Sequence, residues 1–289
     1  MSKILVVGGY GQLGLCLQKI SENYQLDYDI KFVDSKTCDI TNISEIETVF
    51  EDFKPKYCIN AAAYTAVDLA ESEEEIAFAV NAYGVENLAQ VCKQFKTTLL
   101  HISTDYVFDG EINLDYSEDD FTNPQSVYGK SKLLGEELAL EANPKTIVIR
   151  TSWLYSEFQK NFVKTMLNLF EQKDELNIVA DQYGQPTNAT DLAEAIFKII
   201  KSKNKRYGIY HFSNYPETTW YDFAKKIADY TQAKIKLNPI PTEKYPTPAQ
   251  RPKRSTMCLD KIEADYKVEI KYWENSLEEC LDILKNKTR

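Results

Sequence analysis

The chain has 289 residues, 43% of them hydrophobic and 12% aromatic, enough to bury one large core or two unequal lobes. Its formal charge of −10 leaves no dominant basic face, which argues against nucleic acid or an anionic membrane as a partner and requires any anionic ligand to be held locally. The cysteines (Cys16, Cys38, Cys58, Cys92, Cys258, Cys280) form no CxxC pair and have no histidine spacing that completes a zinc tetrahedron, so they read as buried free thiols in a reducing cytosol.

In chain order, short β-branched runs alternate with longer helical patterns, as a parallel sheet with crossover helices requires. The first run, ILVV at 4–7, is too short for a signal sequence or a membrane span, so a soluble cytoplasmic protein is expected. IKFVD at 30–34, YCIN at 57–60, TLLHIS at 98–103 and TIVIR at 146–150 are the further strands. Between them, NISEIETVFEDF repeats Ile43, Ile46, Val49 and Phe50 at helical spacing. ESEEE at 71–75 reads as a solvated acidic helix start. Residues 1–154 are expected to form a Rossmann-type, doubly wound parallel α/β sheet that binds a dinucleotide. Residues 155–289 are expected to form a smaller α+β lobe, mainly for substrate, with segments returning to the sheet. Its helices are NFVKTMLNLF, ATDLAEAIFKII and TTWYDFAKKIADY, and the proline-rich NPIPTEKYPTPAQRPKR reads as an extended loop outside any element interior.

GGYGQLG at 8–14 follows the first strand directly. Gly9, Gly11 and Gly14 fit GxGxxG, while Gly8, Gly11 and Gly14 fit GxxGxxG; either spacing lets a pyrophosphate reach backbone amides at a helix N-terminus. The alternative is a tight strand–helix turn without a ligand. Asp34, ending the second strand about twenty residues past the last glycine, is placed to accept from ribose hydroxyls. Asp39 and Ile40 then flank the adenine, or Asp39 caps the next helix. In NAAAYTAVD at 60–68, small side chains at the end of a strand let a flat cofactor lie against the backbone. Ser103, Thr104 and Asp105 close the fourth strand at the same edge, where hydroxyls meet a substrate carbonyl or form a plain turn.

YGKSK at 128–132 places Tyr128 and Lys132 four apart on one helical face, with Lys130 turned away, after a helix start at Asn123 and Pro124. Gly129 and Gly135 each cost a helix about 1 kcal/mol relative to alanine, which implies a close approach of something. A free phenol with a pKa of about 10 is a poor acid at neutral pH, and an ammonium fixed nearby is expected to lower it. Trp153 in RTSWLY offers an apolar plate for a sugar ring or belongs to the core. His101 and His211 read as structural. Arg251 and Arg254 are candidate diphosphate contacts or solvated loop residues.

The combination GGYGQLG, NAAAYTAVDLAE, STDYVFDG, VYGKSKLLGE, RTSWLY, DQYGQPT, HFSN, TTWYDFA and RPKRS resembles the dTDP-4-dehydrorhamnose reductase family of extended short-chain dehydrogenases/reductases, over nearly the whole chain. The resemblance implies reduction of the C4 ketone of dTDP-4-dehydro-L-rhamnose to dTDP-L-rhamnose with NADPH or NADH. Tyr128 then matches the proton donor, Lys132 the residue that bonds the nicotinamide ribose and tunes the tyrosine, and Thr104 the hydroxyl assisting at the reacting oxygen. Gly11, Gln12 and Leu13 match the phosphate loop, Asp34, Asp39 and Ile40 the adenosine end, and Ala63, Tyr64 and Thr65 the nicotinamide side. Thr104, Asp105 and Trp153 match positions that hold the sugar nucleotide. Another nucleotide-linked 4-keto-deoxyhexose is an alternative substrate. A regulatory subunit of methionine adenosyltransferase resembles the same family, so a cofactor-binding module without turnover is a second alternative, against which the intact Thr104, Tyr128 and Lys132 speak. Where some members of the family bind magnesium at a dimer contact through carboxylates, this chain has Cys16 and Thr190, with Asp191 one residue on. The expectation is therefore no metal, and a monomer or a homodimer formed through another surface.

Overall fold

The computed structural model describes residues 1–24 and 27–287. In chain order the elements of the first half are β1 (Ser2–Val7), α1 (Gln12–Ser21), β2 (Tyr28–Val33), α2 (Ile43–Phe53), β3 (Tyr57–Asn60), α3 (Val67–Ala70), α4 (Glu74–Phe78), α5 (Gly84–Gln94), β4 (Thr98–Thr104), α6 (Val127–Ala142) and β5 (Thr146–Thr151). There follow β6 (Leu154–Tyr155), α7 (Phe162–Gln172), β7 (Glu175–Val179), β8 (Tyr183–Gly184), β9 (Thr187–Asn188), α8 (Ala189–Lys201), β10 (Gly208–His211), β11 (Thr218–Thr219), α9 (Trp220–Thr231), β12 (Lys236–Ile240), α10 (Asp260–Tyr266) and α11 (Trp273–Lys287).

Strand β1 alternates as a strand covered on both faces must. Ile4 and Val6 enter one core with α1, α8 and α10, while Leu5 and Val7 enter the other with α2 and α5. Six parallel strands follow the order β10-β5-β4-β3-β1-β2, so the direction of winding reverses between β1 and β3. A crevice opens outside the carboxyl ends of strands at such a reversal, and ligands of open α/β sheets bind there. Val7 stands level with Val33 and Asn60, and Asn60 with His101, so β4 continues three residues further, to Thr104. Helices α7, α9 and α11 build a separate core over the paired β7 and β12, forming the C-terminal lobe, while α8, β10 and α10 return to the sheet.

Three local expectations are corrected. Helix α6 begins at Val127 and not at Asn123: Ser126 is extended and caps the amide of Gly129 at 3.1 Å, whereas Asn123 turns to Asp109. Pro239 lies inside β12, which pairs only with β7, so its missing N–H costs no ladder bond on the open side. The acidic run 71–75 is more than a solvated helix start, because Glu71 accepts from the Val127 amide at 2.9 Å and Glu73 from the Tyr64 hydroxyl at 2.7 Å.

Helix α6 approaches its neighbours backbone to backbone. A Cβ on Gly129 would lie 2.3 Å from the Tyr106 carbonyl oxygen, and one on Gly135 would lie 2.0 Å from that of Asn81. Asn81 sits in a single π-helical turn, Ala79–Tyr83, between α4 and α5. The close approach expected at these glycines is thus made by the protein's own chain. Gly135→Ala is expected to lose about 3 kcal/mol of stability, since both partners are backbone and neither can move aside. A denaturation midpoint equal to the parent's would show that the contact is not there.

Candidate active site

The glycine turn divides three of its glycines by task. Gly8 has φ +73° and a side chain there would sit 2.5 Å from the Ala62 amide, while Gly14 packs against the carbonyl of Gly8 at 2.4 Å from its would-be Cβ. The fold itself requires both. Gly11 differs: its would-be Cβ meets nothing nearer than the Gly8 oxygen at 3.4 Å, in a wall of an open cavity. Behind it α1 starts with no side-chain cap and no acidic residue, leaving its leading amides, those of Gln12 and Leu13 among them, as an open positive helix end. The Gln12 side chain is engaged elsewhere, with the Leu154 carbonyl and Asn161, and Leu13 is buried, so their contribution here is backbone.

This cavity, about 800 Å³, brings together Gly8, Gly11, Asp34, Asp39, Ile40, Ala63 and Tyr64 of the candidate cofactor residues. Thr65 is exposed outside it, and Gln12 and Leu13 do not line it. Hydrogen bonds from the Thr37 hydroxyl and amide hold the Asp34 carboxyl below its usual range, so it is an anion at the cavity's far end. Asp39 accepts from the amide and hydroxyl of Thr41; it does not cap α2, a task that falls to Asn42. Ile76, Ala79 and Val80 form the lip opposite, a contribution hidden in the sequence by the acidic run before them. Two buried asparagines brace the wall. Asn60 accepts from the Ala62 amide at 3.1 Å, and Asn81 holds both the N–H and the C=O of Tyr64 while also donating to Ser131.

At the next strand end, Thr104 closes β4 and its hydroxyl donates to Asp105 at 3.1 Å. Ser255, from the C-terminal lobe, donates to the other Asp105 oxygen at 2.5 Å. Asp105 is nearly inaccessible, and burial pushes its carboxyl up to about 6. Burial likewise pushes the Tyr128 phenol up to about 12, against a hydrogen bond with Thr104 that lowers it. The expectation that Lys132 lowers the phenol is not met. Burial takes the lysine down to about 8, and its ammonium is turned to the Ile102 carbonyl at 2.6 Å. A phenol that stays protonated at neutral pH is nevertheless the form a proton donor needs.

His101, read as structural, lies 3.5 Å from the Lys132 nitrogen. The Asn60 oxygen takes the Ala62 amide, and its NH₂ faces His101 Nδ1 at 3.1 Å. His211 is buried against Phe108, without a ring-nitrogen partner among the described residues, and burial brings it down to about 3.

Trp153 adopts φ +45° and stacks on Trp220, ring centroids 3.5 Å apart and 10° from parallel, with its edge over Gly184. Trp220 in turn lines a second cavity, about 680 Å³, in the C-terminal lobe, together with Phe162, Gln182, Lys244, Tyr245 and Arg251. Thr104, Asp105 and Trp153 are not in its wall. Arg251 is paired in two-pronged fashion with Asp68 (3.0 and 2.9 Å), and Arg254 with Glu217 at 2.7 Å, so neither arginine is simply solvated. At the place where carboxylates would gather a cation, Cys16 is buried and its thiol pushed up to about 11 by burial. The neighbouring Asp191 is taken by Lys271, Ser276 and Asn214.

A family model described as the RmlD substrate binding domain matches residues 2–286. A dTDP-4-dehydrorhamnose reductase of Aggregatibacter actinomycetemcomitans is 42% identical over 287 residues, covering 96% of this chain and 97% of that protein. The crystal structure of a dTDP-4-dehydrorhamnose reductase from Clostridium acetobutylicum superposes with a TM-score of 0.94 at 41% identity, covering 98% of this chain and 99% of the other. That of dTDP-4-dehydrorhamnose reductase from Bacillus anthracis, in complex with NADP, superposes at 0.93 with 38% identity and coverages of 98% and 99%. With a parallel sheet, a glycine turn after its first strand and a tyrosine in the first turn of α6, and similarity running from end to end, the chain belongs to the RmlD substrate binding domain family.

Proposed function

We propose that this chain reduces the C4 ketone of dTDP-4-dehydro-L-rhamnose to dTDP-L-rhamnose with NADPH or NADH. The observation that carries the reading is Thr104 at the end of β4 with Tyr128 against it and Lys132 one turn on along α6, on a sheet whose crevice has an unfilled glycine at a helix N-terminus. The nearly full-length relatives named as dTDP-4-dehydrorhamnose reductases, one of them solved with NADP, support the substrate and the cofactor.

The fit to a dinucleotide is physical. The amides at the start of α1 suit the diphosphate, Asp34 the adenosine ribose, Asp39 and Ile40 the adenine, and the flat wall Ala63–Tyr64 the nicotinamide. The bound nicotinamide supplies a hydride to the ketone carbon. As the C=O π bond opens, negative charge collects on the oxygen, and Tyr128 donates its proton there while Thr104, its hydroxyl swung from Asp105, aligns that oxygen by a hydrogen bond. Lys132 bonds the nicotinamide ribose and stabilises the phenolate left behind. Trp153, backed by Trp220, presents an apolar surface to the deoxysugar, and the cavity at Trp220, Lys244, Tyr245 and Arg251 takes the nucleotide end. Arg251 and Arg254 reach a diphosphate by exchanging their carboxylate partners.

Tyr128→Phe should keep the fold and NADPH affinity and lose kcat by about a hundredfold or more, because the ring stays and the proton donor goes. Near-parent turnover would remove Tyr128 from the mechanism. Gly11→Ala should leave the stability within about 0.5 kcal/mol of the parent, since the added methyl makes only an ordinary contact with the Gly8 oxygen at 3.4 Å, while weakening NADPH by about tenfold or more as measured by fluorescence titration. Unchanged affinity would place the diphosphate elsewhere. We also propose that neither turnover nor assembly, as monomer or homodimer, depends on magnesium, because Cys16 and Thr190 are poor ligands for a hard cation and Asp191 is already engaged. Excess EDTA in the assay and during size-exclusion chromatography should change neither; lost turnover, or a dimer that dissociates and returns with magnesium, would contradict this.

A further inference from the structure

Tyr128, Lys132 and Glu136 follow one another at intervals of four along α6 and share a face. Glu136 is among the least accessible charged groups of the protein, at 1% exposure. One of its oxygens accepts from the Ser103 hydroxyl, and both accept from Arg150: Nε at 3.1 Å to each, and Nη2 at 2.7 Å to the second. The guanidinium is itself buried and lies over the Phe108 ring at 5.2 Å.

The partners of Glu136 carry the argument. Ser103 immediately precedes Thr104 on β4, and Arg150 stands three residues before Trp153 at the end of β5. In register, Ser103 faces Arg150 and Thr104 faces Thr151 across the two strands. One carboxylate therefore ties together the three segments that carry Thr104, Tyr128 with Lys132, and Trp153. A buried ion pair is a costly way to obtain stability alone, because apolar side chains of similar volume do as well or better. Its value lies in direction: hydrogen bonds to a charged group fix distance and angle where apolar packing fixes only volume.

We propose that Glu136 is a positioning residue of the reductase site, setting the placement of the Tyr128–Lys132 face of α6 against the strand ends that carry Thr104 and Trp153. This rests on the roles proposed above for Tyr128 and Lys132. Glu136 also acts on Lys132 through its charge. Burial takes the lysine down to about 8, and Glu136 is the group that opposes the fall. Of the other groups around Lys132, β4 contributes His101, held neutral by burial; β5 contributes Arg150, behind Glu136; Tyr128 lies one turn back on α6; and Asp105, in the turn after β4, acts on Tyr128. Lys132 serves as an ammonium, a form lost as pH rises through its pKa. Removing the Glu136 charge lowers that pKa, so the alkaline limb of the rate profile moves to lower pH.

The test uses the full chain with NADPH and dTDP-4-dehydro-L-rhamnose. Glu136→Gln keeps shape and one acceptor oxygen, for Arg150, while its NH₂ faces the Ser103 hydroxyl, which can accept; its kcat–pH profile should turn down about one pH unit earlier than the parent's. Ser103→Ala leaves the ion pair intact and removes only the tie to β4. It should lower kcat by about tenfold with NADPH affinity and profile shape unchanged, at a modest loss of melting temperature from the missing bond to a charged group. A folded Glu136→Gln with the parent's profile, or a Ser103→Ala with the parent's kcat, would overturn the proposal. If Glu136→Gln does not fold, Ser103→Ala decides alone. Failure of the underlying assignment is read separately, as retained turnover in Tyr128→Phe, whereas failure of this inference leaves that variant inactive.

Discussion

The site depends on how closely α6 is pressed to the sheet and to the π-helical turn at 79–83. Two glycines permit backbone contact where a methyl group would collide, and the polar groups trapped at that contact are then obliged to find partners inside it. Asn81 pairs with both backbone groups of Tyr64 and with Ser131, and Glu136 pairs with Ser103 and Arg150. The wall of the crevice and the helix that carries Tyr128 are thereby fixed to each other through hydrogen bonds, with little left to side-chain freedom. Such rigidity is what a reaction between a bound nicotinamide and a ketone needs, since misplacement by an ångström is costly.

Burial has a second consequence. It sets Tyr128 high and Lys132 low, the reverse of the adjustment that the YxxxK spacing suggests in isolation. For reduction the order is serviceable, because the phenol must arrive carrying its proton. In the proposed mechanism any tuning of the tyrosine by Lys132 belongs to the moment of proton transfer, when an ammonium gains most from a forming phenolate.

Much of this was legible in the residues. The two-sided alternation of Ile4, Leu5, Val6 and Val7 announces a strand covered on both faces, and GGYGQLG after it announces the turn at the sheet's reversal. Tyr128 and Lys132 declare themselves by spacing. Asn60, Asn81, His101 and Glu136 do not, because each acts through a partner 17 to 41 residues away that only the packing brings near. Trp220 and Tyr245 are ordinary aromatics until the C-terminal lobe folds them into one cavity. Pro239 misleads for a related reason: its exclusion from strands holds for interior ones, and whether a strand has a free side is decided by the tertiary structure.

The most direct test of the account is turnover itself: the purified chain with NADPH or NADH and dTDP-4-dehydro-L-rhamnose, beside the UDP-linked analogue, followed by loss of the reduced nicotinamide. The account predicts dTDP-L-rhamnose formed one for one with cofactor oxidised, at about 1 per second or faster, and a marked preference for the dTDP sugar. Tight NADPH binding with no reduction of either sugar would contradict it and leave a nucleotide-binding module in place of an enzyme.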